Sequence, residues 1–183
     1  EIESFSLARA LVGSDPTPTI MADIGGRSTN IAIVDQGFWK YNGRTDFASG
    51  SLTQAIASST NIDIRRAEEL KKRRGLLGTG GEYELSTLMI PFLDVIIEEV
   101  RRVRDAYEKE CQGKIERVIL AGGGANLLGI EDYFTKRLEL PTVKGAPFSK
   151  ISYPPQLEPV VNELGTSVAV AIGLGIKGFI QKI

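Results

Sequence analysis

The chain has 183 residues, 42% of them hydrophobic and 25% charged, with a formal net charge of -1 at pH 7. This is an ordinary globular composition, long enough to bury a core as one domain or two small lobes, and it shows no charge excess marking a partner such as nucleic acid or a lipid surface. A single cysteine, Cys111, excludes a disulfide framework and points to a reducing compartment, and the lack of histidine speaks against zinc chemistry.

The first segment, Glu1–Val12, has a helical pattern with Phe5, Ala8 and Leu11 or Val12 on one side. Because it opens on Glu1 rather than methionine, the chain reads as a fragment or a processed protein. Gly13 and Asp15-Pro16-Thr17-Pro18 end the helix. Three β-branched or alternating runs follow, Thr19–Ile24, Thr29–Val34 and Phe38–Tyr41, separated by Gly25-Gly26-Arg27-Ser28 and by Asp35-Gln36-Gly37. This spacing predicts an antiparallel meander. Gly25 and Gly26 let the main chain approach a ligand, and Ser28, Thr29 and the backbone N–H groups can donate to anionic oxygens. Asp23 is placed to hold a water or a magnesium ion facing a phosphate. Read alone, the same turn is better explained as an ordinary hairpin in a meander.

Asn42–Ser49 reads as an irregular connection with a short strand near Thr45–Ala48, followed by a helix from Ser51 in which Leu52, Ala55 and Ile56 share a face. Asp63 is an N-cap for a charged helix, Ile64–Arg74, with Ala67 and Leu70 inward. Glu68, Lys71 and Lys72 lie on neighbouring positions of that helix. Leu77–Gly81 is glycine-rich but lacks the Lys-Ser or Lys-Thr of a phosphate-binding P-loop. A long helix follows from Leu85 to about Cys111, with a regular stripe from Leu85 to Tyr107, an internal Pro91 and a predicted Glu98–Arg102 pair.

Ile115–Ala121 reads as a buried strand leading through Gly122-Gly123-Gly124 into a helix over Leu128–Leu138. Such a strand–glycine–helix unit leaves side-chain-free backbone at the mouth of a sheet, where a planar group can lie, although a tight turn would use the same residues. A strand at Leu140–Val143 and a proline-rich surface loop over Ile151–Glu158 come next. Asn162–Ile183 is predicted as one helix with Leu164, Val168, Ala171, Ile172 and Gly175 on a small-residue side. Gly173 and Gly175 each cost that helix about 1 kcal/mol relative to alanine, which close packing would offset. Its most apolar run, Ser167–Ile176, is too short to span a bilayer.

The motif set resembles the C-terminal half of an actin-like ATPase, the superfamily of actin, heat-shock chaperone ATPases, sugar kinases and the division protein FtsA. The family's second phosphate loop resembles Asp23-Ile24-Gly25-Gly26-Arg27-Ser28, its ribose-contacting helix Ala67-Glu68-Glu69-Leu70-Lys71, and its adenosine motif Leu120–Ile130. Within the superfamily the flanks look like the PilM branch of type IV pilus assembly proteins. The cues are Phe5–Leu11, Leu52–Ile56 before Ala67–Lys71, and Ala169–Leu174. Arg27 stands where many relatives have a small residue.

This resemblance implies an α/β, actin-like (ribonuclease H-like) lobe built on a mixed sheet that begins in an antiparallel meander. It divides the chain into residues 1–50, a smaller helical subdomain over 51–112, and residues 113–183. The implied ligands are ATP or ADP with Mg²⁺, which Asp23 would hold through water while serving as the catalytic carboxylate. Gly25, Gly26, Arg27, Ser28, Thr29, Glu68, Lys71, Lys72, Gly122, Gly123, Gly124 and Asn126 would contact the nucleotide. The implied partners are an N-terminal actin-like lobe, a PilN-type inner-membrane protein with other pilus platform components, and further copies of the chain. The implied location is cytoplasmic, peripheral at the inner membrane. Other readings of the same half-fold are an FtsA-like division protein, half of a sugar-kinase-type phosphotransferase, or an interaction module whose glycine turns are relics.

Overall fold

The alternating apolar runs form a five-stranded mixed sheet in the order β3-β2-β1-β4-β5. A computed structural model describes residues 2–77 and 83–180. Strands β1 (Thr19–Ile24), β2 (Thr29–Asp35) and β3 (Phe38–Thr45) make the antiparallel meander. Gln36 and Gly37, at φ 51 and 76, give the β2–β3 hairpin two left-handed central residues, the turn whose twist matches its strands. Strand β4 (Arg117–Ala121) then pairs parallel with β1, and β5 (Thr142–Lys144) parallel with β4. All six residues of β1 are buried, as expected of a central strand covered on both faces.

Side-chain alternation along β1 divides the core in two. Ile20, Ala22 and Ile24 join Ile31, Ile33, Val118 and Leu120 beneath α2 (Ser49–Thr60), α3 (Ile64–Arg74), α4 (Tyr83–Cys111) and α5 (Ile130–Leu138). Met21 instead joins Ala32, Val34, Ile119 and Ala121 beneath α1 (Glu3–Leu11) and Ala169, the first residue of α7 (Ala169–Ile180). The larger cluster draws side chains from Ile20 to Leu138, and so from all three predicted segments. In α4, Met89, Leu93, Ile96, Ile97, Val100, Val103 and Tyr107 are buried, the predicted stripe. Pro91 lies on its exposed side, within a continuous helix.

Five local expectations need correction. Helix α1 buries Ser6, Leu7 and Ala10, whereas Phe5 is 40% exposed and packs its ring on Trp39. Strand β3 continues to Thr45, so the residues read as an irregular connection extend the meander and no separate strand forms at Thr45–Ala48. Glu98 pairs with Arg101 and Glu99 with Arg102, each three residues apart, in place of Glu98–Arg102. The C-terminal segment is interrupted: α6 (Glu158–Leu164) ends at Gly165, φ 46, and a 3-10 turn over Gly165–Val168 precedes α7. Finally, Leu164, Ala171 and Gly175 are exposed, so the predicted small-residue side is not the packed one. Of the glycine-rich Leu77–Gly81, only Leu77 is among the described residues. Among the described residues no single helix is long and apolar enough to cross a membrane.

Helices α1 and α7 pack backbone to backbone. A Cβ on Gly173 would overlap the main chain of Ser6, with the Ser6 carbonyl carbon 2.5 Å away, and Arg9 Nη1 donates to the Gly173 carbonyl at 2.9 Å. Gly175, one turn-fraction on, meets nothing. Gly173→Ala therefore lowers stability by about 1–3 kcal/mol through overpacking, while Gly175→Ala raises it by up to about 1 kcal/mol through helix propensity. Urea denaturation of both variants checks this pair of opposite signs.

Candidate functional site

Two glycine turns meet at the carboxyl end of the sheet because β1 and β4 are parallel and in register, Asp23 beside Ala121. The next residues are Ile24 on one strand and Gly122 on the other. A Cβ on Gly122 would overlap Asp23 Oδ1 and lie 2.6 Å from the Ile24 carbonyl oxygen. One on Gly124 would overlap the Ile24 side chain. Gly122 also has φ 77, which disfavours any L side chain. These two glycines are thus needed to seat the second turn against β1, before any ligand is considered.

The first turn is held from the other side by the start of α2. Ser49 N donates to the Gly25 carbonyl (3.0 Å) and Gly50 N to the Gly26 carbonyl (3.1 Å), while Gly25 N closes the turn on the Ser28 carbonyl at 3.0 Å. Since the C=O and N–H of a trans peptide point opposite ways, the N–H groups of Gly26 and Arg27 turn away from α2. Gly26 has open space where a Cβ would be. Gly25, Gly26, Arg27 and Ser28 line a small pocket of about 260 Å³ with Asp23, Gly122, Gly123 and Ser167. Thr29 does not join them: it is fully buried and its hydroxyl donates to the Phe47 carbonyl at 2.8 Å.

Asp23 forms the floor of this pocket at 7% exposure. It faces Glu3 at the start of α1, whose Oε2 accepts from Asn30 Nδ2 at 2.9 Å. Burial, reinforced by the neighbouring Glu3 carboxylate, pushes the Asp23 carboxyl up to about 6. No residue pattern points to Glu3, because the packing of α1 across the sheet brings it here. Thr166 and Ser167 fall within the predicted C-terminal helix but lie in the 3-10 turn that interrupts it. Thr166 Oγ1 donates to the Gly122 carbonyl at 2.6 Å, which ties the 3-10 turn over the second glycine turn.

A larger cleft of about 650 Å³ opens beside the small pocket and shares Gly25, Gly26, Gly123 and Ser167 with it. Its walls include Glu68, Lys71 and Lys72 on one side and Gly124, Asn126, Leu127 and Leu164 on the other. Asp63 caps α3 as expected, its Oδ1 accepting from Arg65 N (2.9 Å) and Arg66 N (3.1 Å). That start sets the helical phase that turns Glu68 to the cleft. Lys72 is exposed, its ammonium 3.8 Å from Glu68 Oε1.

Lys71 behaves differently from its charged neighbours. It is buried, and its Nζ donates to the Ser49 carbonyl (3.0 Å), Ser49 Oγ (2.6 Å) and Thr53 Oγ1 (2.8 Å) while pairing with Glu68 Oε2 at 2.7 Å. Burial drives its ammonium below the usual lysine range, and Glu68 only partly offsets this. Burial also opposes ionisation of Glu68, but hydrogen bonds from Lys71 and Thr53 outweigh it and hold the carboxyl below the ordinary range.

The donor set fits a magnesium-bound polyphosphate with a nucleoside beyond it. A carboxylate floor, a side-chain-free main chain and Arg27 suit anionic oxygens with a hydrated cation. Glu68 suits sugar hydroxyls, and the glycine main chain of Gly123 and Gly124 with Leu127 leaves room for a planar base. Asp23, Gly25, Gly26, Arg27, Ser28, Glu68, Lys72, Gly122, Gly123, Gly124 and Asn126 all reach this continuous site; Thr29 does not, and Lys71 borders it with its ammonium engaged.

A carboxyl raised to about 6 in the fold and near 3.8 when unfolded is protonated more readily in the native state, so stability is lost as pH rises between these values. Relative to Asp23→Asn, the natural chain loses on the order of 2–3 kcal/mol from pH 4 to pH 6. Urea midpoints of both proteins across that range check the sign; parallel curves would show that Asp23 titrates normally.

Comparison with known proteins gives one consistent result. A model of the family "Type IV pilus assembly protein PilM" matches residues 2–179. Among solved structures, a PilM-PilN type IV pilus biogenesis complex superposes with a TM-score of 0.83 at 23% identity, over 97% of this chain and 52% of that one. MreB 5 of Spiroplasma citri bound to AMPPNP gives 0.74 at 20%, over 100% and 60%. Ta0583, an archaeal actin homolog, gives 0.61 at 17%, over 93% and 50%. The fold is therefore actin-like, and this chain spans between half and three fifths of the length of these structures.

Proposed function

The chain belongs to the type IV pilus assembly protein PilM family, and on that premise we propose that it is the nucleotide-binding lobe of a larger actin-like protein that scaffolds pilus assembly. The observation that carries this reading is the continuity of the two glycine turns with the Glu68 face of α3 around one cleft. Gly25–Ser28 and Arg27 receive the phosphates of ATP or ADP, and Asp23 orients a water of the accompanying Mg²⁺. Glu68 accepts from the ribose hydroxyls, with Lys72 beside it, and the base lies over Gly123, Gly124 and Asn126. Bound magnesium supplies neutralisation of the phosphate charge.

The lobe holds phosphates from one side only. Catalysis by positioning needs the opposite side as well, so the isolated chain binds nucleotide weakly and turns it over slowly at most. In the longer protein the second actin-like lobe closes the site, and nucleotide biases how the two lobes sit. The solved PilM relative is in complex with PilN; by the same reading this protein works at the cytoplasmic side of the inner membrane, through a PilN-type partner.

Calorimetric titration of the chain with Mg-ATP tests the reading. Weak, saturable binding is expected, reduced about tenfold or more by Glu68→Ala through loss of a charged hydrogen bond. Asp23→Ala should remove its magnesium dependence. No heat at millimolar nucleotide, or saturable binding that both variants leave unchanged, would overturn it.

A further inference from the structure

Lys71 sits three residues after Glu68 and borders the same cleft, which invites the view that both side chains touch the ligand. The geometry argues otherwise. An ammonium carries three protons, and four oxygens already stand within 3.0 Å of Lys71 Nζ: the Ser49 carbonyl, Ser49 Oγ, Thr53 Oγ1 and Glu68 Oε2. Its side chain is only 5% exposed, against 74% for Lys72. Glu68 Oε2 in turn receives both Lys71 and the Thr53 hydroxyl, the latter at 2.5 Å. One carboxylate oxygen is thus saturated from within the fold, and Oε1, 3.8 Å from the exposed Lys72 ammonium, is the one left to the cleft.

Resting on the nucleotide reading above, we propose that Lys71 is a positioning residue: together with Thr53 it fixes the Glu68 carboxylate so that Oε1 faces the sugar, and it makes no contact with the nucleotide itself. The anchor is the first turn of α2. Ser49 supplies two of the four oxygens around Lys71, and its own N–H holds the Gly25 carbonyl of the phosphate turn. A rotamer-rich glutamate is thereby held before the ligand arrives, which lowers the entropic cost of binding. The buried ammonium persists because its pairing offsets its desolvation; removing either partner leaves the other uncompensated.

A double-mutant cycle in calorimetric titration with Mg-ADP separates positioning from contact. Lys71→Met weakens binding about tenfold in the natural background, and less than about twofold in a Glu68→Gln background. Thr53→Val, which keeps the lysine, follows the same pattern with a smaller loss and serves if Lys71→Met does not fold. Carbon-13 titration of Glu68 in the ligand-free protein gives a readout independent of nucleotide: its carboxyl rises in Thr53→Val and in Lys71→Met. An equal loss in both backgrounds, or a Glu68 titration that neither variant moves, would overturn the proposal while nucleotide binding by the natural chain stands. Failure of the natural chain to bind nucleotide would instead remove the reading beneath it.

Discussion

The site depends on how closely two backbones approach at the end of β1. Asp23 and Ile24 press against Gly122 and Gly124 so tightly that no side chain fits on either glycine. Parallel pairing of β1 with β4 puts both strand ends at the same edge, where open α/β sheets generally present their ligand crevices. Fixing this contact fixes the distance between the pocket over Asp23 and the cleft under Glu68. The first glycine turn is then braced by the N-terminus of α2 and the second by Thr166. Neither turn hangs free as a surface loop would.

The two faces of the sheet contribute unlike chemistry to that edge. Helix α1, α7 and the 3-10 turn before α7 bring Glu3, a packed backbone interface and Ser167, so Asp23 lies in a poorly hydrated, acidic environment. Helices α2 and α3 bring a buried cation and a carboxylate locked to it. One pocket therefore has a carboxyl waiting for a cation or proton, and the adjoining cleft has a carboxylate already compensated. Carboxyl groups in such different settings can hold different charge states at the same pH.

Much of this was legible in the residues. Alternating apolar runs located the strands, Gly25-Gly26 and Gly122-Gly123-Gly124 marked the turns, and Asp63 announced the start of α3. What escaped were properties set by neighbours distant in sequence. Lys71 belongs to a run of four basic residues, Lys71–Arg74, that reads as a solvated face, yet it is buried with its ammonium on Ser49 and Thr53 of another helix. Thr29 reads as a phosphate donor from its place beside the first glycine turn, yet strand alternation carries it inward to Phe47. Glu3 lies twenty residues before Asp23 and reaches it because α1 packs across the sheet, with Leu7 in the cluster of Met21 and Ala32 and Glu3 itself held by Asn30. The face of α1 is ambiguous in sequence because Phe5, Leu7, Ala8, Ala10 and Leu11 make an apolar band too wide to show which part turns inward.

Amide chemical-shift mapping of the chain with Mg-ATP tests the central claim most directly. The account predicts concurrent shifts at Gly25–Ser28, at Gly122–Asn126 and around Glu68, with Thr29 and the β2–β3 hairpin at Gln36–Gly37 much less affected. Shifts confined to one glycine turn, or centred away from the carboxyl end of β1, would contradict it.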